Sequence, residues 1–151
     1  MREGERDGVD YHFVSKSQFE QWIADDELFE HALVYGQYKG IPKSSVLAPL
    51  AAGQDVVLRL DVQGAATVRR LLPDAVSVYI VAASEAELVD RLVRRKTESL
   101  EGLITRAGTI KRECERIGEF EYVVVNAEGS ADDAVRQLSA IVDAERCRPA
   151  R

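Results

Sequence analysis

Two cysteines, Cys114 and Cys147, are all that 151 residues contain, and they lie far apart without metal-ligand spacing. That excludes a disulfide scaffold and a thiolate zinc site, and it points to a reducing compartment with both thiols free. No apolar stretch is long enough to span a bilayer, and the charged start MREGERDG does not read as a secretory signal. Positive charge is in deficit: 20 Lys and Arg stand against 26 Asp and Glu, a net charge of −6. No overall field draws the protein to nucleic acid or to an anionic membrane, so bound phosphate must be held by locally placed arginines. The two histidines, His12 and His31, fall in predicted strands without a Ser or Cys nucleophile in a recognisable arrangement. Repeats and low-complexity linkers are absent. What remains, 46% hydrophobic and 30% charged residues, is the make-up of one globular domain large enough to bury a core.

The organising stretch is DVVLRLDVQG, Asp55 to Gly64. Val56, Val57, Leu58 and Leu60 make an apolar, β-branched run too short for a helix, which predicts a strand buried in a parallel sheet. It ends at Asp61 and turns at Gln63-Gly64 into a helical segment, Ala65–Leu72. Ligands of open α/β sheets bind beyond the carboxyl ends of strands, where Asp61 stands, although an Asp there can equally cap the next turn. Ahead of this stretch the pattern predicts a loop over Met1–Asp10 and a short strand over Tyr11–Val14. A helix follows, opened by the capping box Ser15/Gln18, with Phe19, Trp22 and Ile23 buried. A strand over Leu28–Tyr35, a turn over Gly36–Gly40 and a helix from Pro42 to Ala52 complete a small α+β unit, residues 1–53. Beyond it, strands at Val76–Ala82 and Tyr122–Asn126 alternate with helices. One helix is capped by Ser84 with Glu87, one ends near Ile117, and the last is opened by Ser130 with Asp133. Alternation of this kind predicts an α/β fold with right-handed crossovers, its core in residues 54–93 and 103–151.

Three groups of residues could carry chemistry. Arg91, Arg94, Arg95, Lys96 and Arg106 flank the polar turn Thr97-Glu98-Ser99 and suit phosphate oxygens or transition-state charge. The plainer alternative is a solvated helix face balanced by Glu85, Glu87 and Asp90. In the small unit stand Arg2, Tyr11, Glu30, Tyr38 and Lys39. A carboxylate can accept from both the ring N–H and the exocyclic amine of guanine, while Arg, a Tyr hydroxyl and Lys can hold a monophosphate. Alternatively the tyrosines are half-buried strand aromatics and Glu30 guards an edge strand. Asn126, ending the last strand, could meet a base edge or simply cap the loop to Gly129.

The run R-E-G-E-x-x-G-V-D-Y-H-F-V-S, then L-F-E-H-A and G-Q-Y-K-G-I-P, resembles the GMP-binding part of guanylate kinases. L-R-L-D-V-Q-G-A resembles that family's strand-to-helix turn, R-R-K-T-E-S with Arg106 its lid, and Y-V-V-V-N its adenine-side strand. The match runs in family order over nearly the whole chain. It implies a P-loop NTPase-like α/β fold whose lid occupies residues 94–102, and transfer of phosphate from ATP, with Mg²⁺, to GMP. It also implies GMP contacts at Arg2, Tyr11, Glu30, Lys39 and Asp61, catalytic and ATP-phosphate contacts at Arg95 and Arg106, and adenine packing near Asn126. Lys39 stands where the family commonly has a second Tyr, and Ile41 where it has Ser or Thr. With Arg59, these residues resemble the organelle-type enzymes of plants and algae, so cytoplasm, plastid or mitochondrion is the expected compartment. No stretch matches G-x-x-x-x-G-K-S/T, the loop that cradles donor phosphates. The resemblance implies that this loop and a central strand precede Met1, making the chain a fragment that is inactive alone. The other reading is a non-catalytic guanylate-kinase-like module whose cleft takes a protein ligand.

Overall fold

The structure, a computed structural model, describes residues 4–34, 36–94 and 108–149. The chain divides into two compact units, Met1–Leu71 and Leu72–Arg151. In the first, Ser15 caps helix α1 (Lys16–Ala24): its Oγ accepts from the Gln18 amide at 3.1 Å, as the capping box predicts. Phe19 is the buried residue of α1, and Trp22 and Ile23 are half-buried. The chain leaves α1 through Asp26, whose φ of 54° is unusual for a residue with a side chain. It then forms an antiparallel hairpin of β1 (Leu28–Val34) and β2 (Gln37–Pro42). Helix α2 (Ser44–Ala51) packs on β2 and buries Val46 almost completely, at 1% exposure. Helix α3 (Val62–Leu71) packs on β1 and buries Val62, Gly64 and Val68.

Several expected boundaries move, each for a physical reason. Tyr11–Val14 is a loop, joined to Asp7 by a single bridge and by the Phe13 amide donating to Asp7 Oδ1 at 2.7 Å. Gly36–Gly40 is mostly strand, because only Gly36, at φ 75°, belongs to the hairpin turn. Pro42 ends β2 rather than starting a helix, while Pro49 lies inside α2. The run Val56–Leu60 carries no ladder among the described residues, and Val57 is 85% exposed. Apolar β-branched composition favours a strand, but a strand exists only with a neighbour to bond to.

Gly40 shows how tightly the hairpin closes on α1. A Cβ on it would lie 2.9 Å from the Glu30 carbonyl oxygen and 2.9 Å from Phe19 Cζ. Gly40→Ala is therefore expected to destabilise the protein by about 1–3 kcal/mol, the usual range for overpacking. A urea midpoint unchanged from the wild type would contradict this.

The second unit is built on a parallel pair, β3 (Val78–Val81) beside β4 (Tyr122–Val125), in register Val78↔Tyr122 to Val81↔Val125. Between them run helix α4 (Glu85–Arg94), a helix α5 over 108–114 and a short 3₁₀ turn at Ile117–Glu119. Ser84 caps α4 through the Glu87 amide at 3.1 Å. Helix α6 (Ala131–Arg146) packs on β4, and Tyr122 Oη donates to Glu145 at 2.5 Å. The capping box expected at Ser130 does not form: the Ser130 side chain makes no cap bond, and Asp133 pairs with Arg136 instead. Mixed helices and a parallel strand pair agree with the α/β class that alternation predicts. Among the described residues, no helix is long and apolar enough to cross a membrane.

Candidate functional site

Glu30 is the buried charged residue of the first unit among the described residues, and a strand irregularity puts it there. In a regular strand neighbouring side chains face opposite ways. Yet Leu28, Phe29 and Glu30 are all enclosed, at 7%, 8% and 6% exposure. The register explains it: Leu28 pairs with Pro42 and Glu30 with Ile41, so Phe29 is an extra residue in β1. Such a bulge re-aims the following side chain, and bulges are over-represented beside active sites. The Glu30 carboxylate turns toward the start of α3, where a Cβ on Gly64 would lie 3.0 Å from its Oε1. No hydrogen bond or ion pair reaches that carboxylate among the described residues. Burial, and secondly the negative charge of Asp61, hold its pKa above the ordinary value of 4.5.

Asp61 opens α3. Its Oδ1 accepts from the amides of Gln63 at 3.0 Å and Gly64 at 2.8 Å, and its carbonyl accepts from Ala65 at 2.9 Å. The capping alternative for Asp61 is thus realised, and it coexists with a place beside Glu30. Cross-strand partners share a face of the hairpin, so Glu30 and Ala32 line one side with Ile41 and Lys39. Lys39 is exposed at the outer part of that face. Tyr38 faces the other way, stacked on Phe19 at 5.1 Å with its hydroxyl directed at Glu20 Oε1, 3.4 Å away. It is a packing residue of the hairpin. Tyr11 is exposed in its loop, its ring 5.8 Å from that of Phe13.

Arg2, Arg95 and Arg106 lie outside the described residues. In the second unit the Asn126 amide extends the ladder to the Val81 carbonyl at 2.8 Å, and its own carbonyl accepts from Arg91 Nη2 at 2.7 Å. Arg91 also pairs with Glu87, and Arg94 with Asp90 and Glu128. For these two arginines the balanced helix face is what forms. The bulge at Phe29 is a feature that sequence reasoning missed, and Gly64, expected in a turn ahead of the helix, lies buried inside the first turn of α3 instead. Two adjacent residues competing for the core, Phe29 and Glu30, were the available signal for the bulge. For the glycine it was an Asp followed three residues later by Gly at a helix start.

A family profile described as guanylate kinase matches residues 1–145. The chain belongs to the guanylate kinase family. It is 49% identical over 148 residues to guanylate kinase 2, chloroplastic/mitochondrial, of Oryza sativa subsp. japonica, covering 97% of this chain and 52% of that protein. To a guanylate kinase of Clostridium perfringens it is 44% identical over 147 residues, covering 97% of this chain and 67% of the relative. The chain thus spans about half the length of the rice protein and two thirds of the clostridial one. A crystal structure of guanylate kinase from Anaplasma phagocytophilum superposes with a TM-score of 0.81 at 27% identity, over 98% of this chain and 71% of that one. Such agreement places the fold with the α/β, P-loop NTPase-like guanylate kinases.

Proposed function

We propose that this chain serves ATP:GMP phosphoryl transfer, giving ADP and GDP, and that its first unit carries the acceptor site. The observation that supports this most directly is Glu30, a buried carboxylate with no protein partner among the described residues, set beside Asp61 at the start of α3. The side chain is largely enclosed, so a ligand that brings donors to the carboxylate replaces the little water that reaches it. Guanine offers two donors on one edge, its ring N–H and exocyclic amine, at the spacing of the two oxygens of a carboxylate. Adenine offers an acceptor at the corresponding ring nitrogen, which a carboxylate repels.

In this reading Glu30 and Asp61 both meet the guanine, and Asp61 also caps the start of α3 through its Oδ1. Lys39, on the same hairpin face, joins Arg2 and the Tyr11 hydroxyl on the GMP phosphate. Arg95 and Arg106, with the lid at 94–102, hold ATP phosphates and stabilise charge on the transferring group. Asn126 borders adenine. Mg²⁺ would accompany ATP, but among the described residues no three metal-ligating side chains gather to hold an ion. The rice relative's name, chloroplastic/mitochondrial, supports a plastid or mitochondrial setting over the cytoplasm.

The test is calorimetric titration of the chain with GMP and with AMP. GMP is expected to bind roughly tenfold or more tightly, since the wrong base leaves Glu30 unpaired against an acceptor. Equal affinities would overturn the reading and favour a non-catalytic module.

A further inference from the structure

We propose that Gly64 is a positioning residue for base selection, holding open the place into which the Glu30 carboxylate fits. The proposal rests on the reading of Glu30 as the guanine acceptor and adds what fixes its direction. Gly64 is buried in the first turn of α3, and its φ is not among the positive values that favour glycine. Backbone conformation therefore does not call for glycine at this position. Inside a helix glycine costs about 1 kcal/mol relative to alanine, so some other demand keeps a side chain out.

That demand is space. A Cβ on Gly64 would stand 3.0 Å from Glu30 Oε1, 3.1 Å from Glu30 Cδ and 3.1 Å from Leu60 Cδ2. Each contact is tight enough that the neighbour must give by a few tenths of an ångström, and two of the three atoms belong to the carboxyl group itself. The carboxylate cannot swing freely away, because Glu30 is 6% exposed and its β1 neighbours Leu28 and Phe29 are enclosed as well. Nor can the helix start shift easily, because the Gly64 amide is tied to Asp61 Oδ1 at 2.8 Å. Gly64 thus faces two carboxylates at once, bonding one through its amide and making room for the other. A few tenths of an ångström lost here would tilt Glu30 off the guanine edge. Selective sites need their groups held to about 0.5 Å.

The experiment uses Gly64→Ala, Glu30→Asp and the double variant in the full chain. Aspartate withdraws the carboxyl group by one carbon–carbon bond, about 1.5 Å, which clears the added methyl. Thermal unfolding should show Gly64→Ala lowering the midpoint in the wild-type background. In the Glu30→Asp background the same change should be neutral or stabilising. An equal shift in both backgrounds would overturn the contact. The second readout is GMP against IMP, which lacks the exocyclic amine. Gly64→Ala should reduce the preference for GMP by roughly tenfold, the order expected when a charge-assisted hydrogen bond is misaligned. An unchanged GMP-to-IMP ratio, even in a destabilised variant, would leave Gly64 a packing residue only and overturn the positioning role. A wild-type chain that binds GMP no better than AMP would instead defeat the acceptor-base reading, and the selectivity role of Gly64 with it.

Discussion

Glu30→Gln is expected to weaken GMP binding about 10- to 100-fold while stabilising the ligand-free protein at neutral pH. The loss follows from chemistry: glutamine offers one acceptor and turns an amine toward a second guanine donor. Hydrogen bonds to charged groups are worth roughly 1.5–3 kcal/mol, which converts to that range of affinity. The gain in stability comes from the same carboxylate. Burial first, and Asp61 second, raise the pKa of Glu30 above 4.5, so the folded protein holds that proton more tightly than the unfolded chain. Its contribution to stability is fully present below 4.5 and is lost as pH rises through the raised value. Above that value the wild type carries a partly desolvated charge beside Asp61 that Glu30→Gln removes. The difference in unfolding midpoint between the two proteins should therefore grow with pH through this window and vanish below 4.5. Binding runs the other way, since guanine donors favour the ionised carboxylate. Guanosine affinity, free of the phosphate's own titration, should fall as pH drops through the same window in the wild type and stay flat in Glu30→Gln. A variant that bound GMP as the wild type does would remove Glu30 from the base site.

Much of this could be read along the chain. The caps at Ser15 and Ser84 follow from side-chain oxygens placed three residues before an amide that needs an acceptor, and both form. The strands at Leu28, Val78 and Tyr122 follow from apolar runs of the right length, and β3 and β4 pair within the expected segments, whereas β1 pairs with Gln37–Pro42, which reads along the chain as a turn and a helix start. Glu30 and Asp61 could be singled out as acids at strand positions, but their closeness could not. It depends on the Phe29 bulge, which breaks the period of two on which strand reading relies. Gly40 looked like a turn residue because glycine usually marks turns. In the structure it is a strand residue whose missing side chain lets β2 approach Glu30 and Phe19. Val56–Leu60 has the composition of a buried strand without a bonded neighbour among the described residues, and composition carries no information about partners. Ser130 has the sequence of a capping box, but Asp133 finds Arg136 a better partner, a choice made by side-chain geometry rather than spacing.

The 151-residue chain should bind GMP yet show no measurable GMP-dependent ATP turnover. The acceptor site proposed for it uses residues of the hairpin and α3, which lie within one compact unit. The donor side needs more. Cradling β- and γ-phosphates takes a row of backbone amides, a lysine on the phosphates and a hydroxyl for Mg²⁺, and G-x-x-x-x-G-K-S/T occurs nowhere in these 151 residues. Losing one preorganised donor costs ~10²–10³ in rate, and this set acts together. Arg95 and Arg106 could hold phosphate charge but could not align the transferring group by themselves, because long side chains fix charge and not direction. Binding and turnover are thus expected to separate: calorimetry should report GMP, and a coupled ADP-release assay with GMP and Mg-ATP should stay at background. Glu30→Gln supplies the control, weakening the first signal about 10- to 100-fold without altering the second. Turnover that requires GMP, survives removal of contaminating kinase and is lost in Glu30→Gln would show that these residues build a donor site of their own.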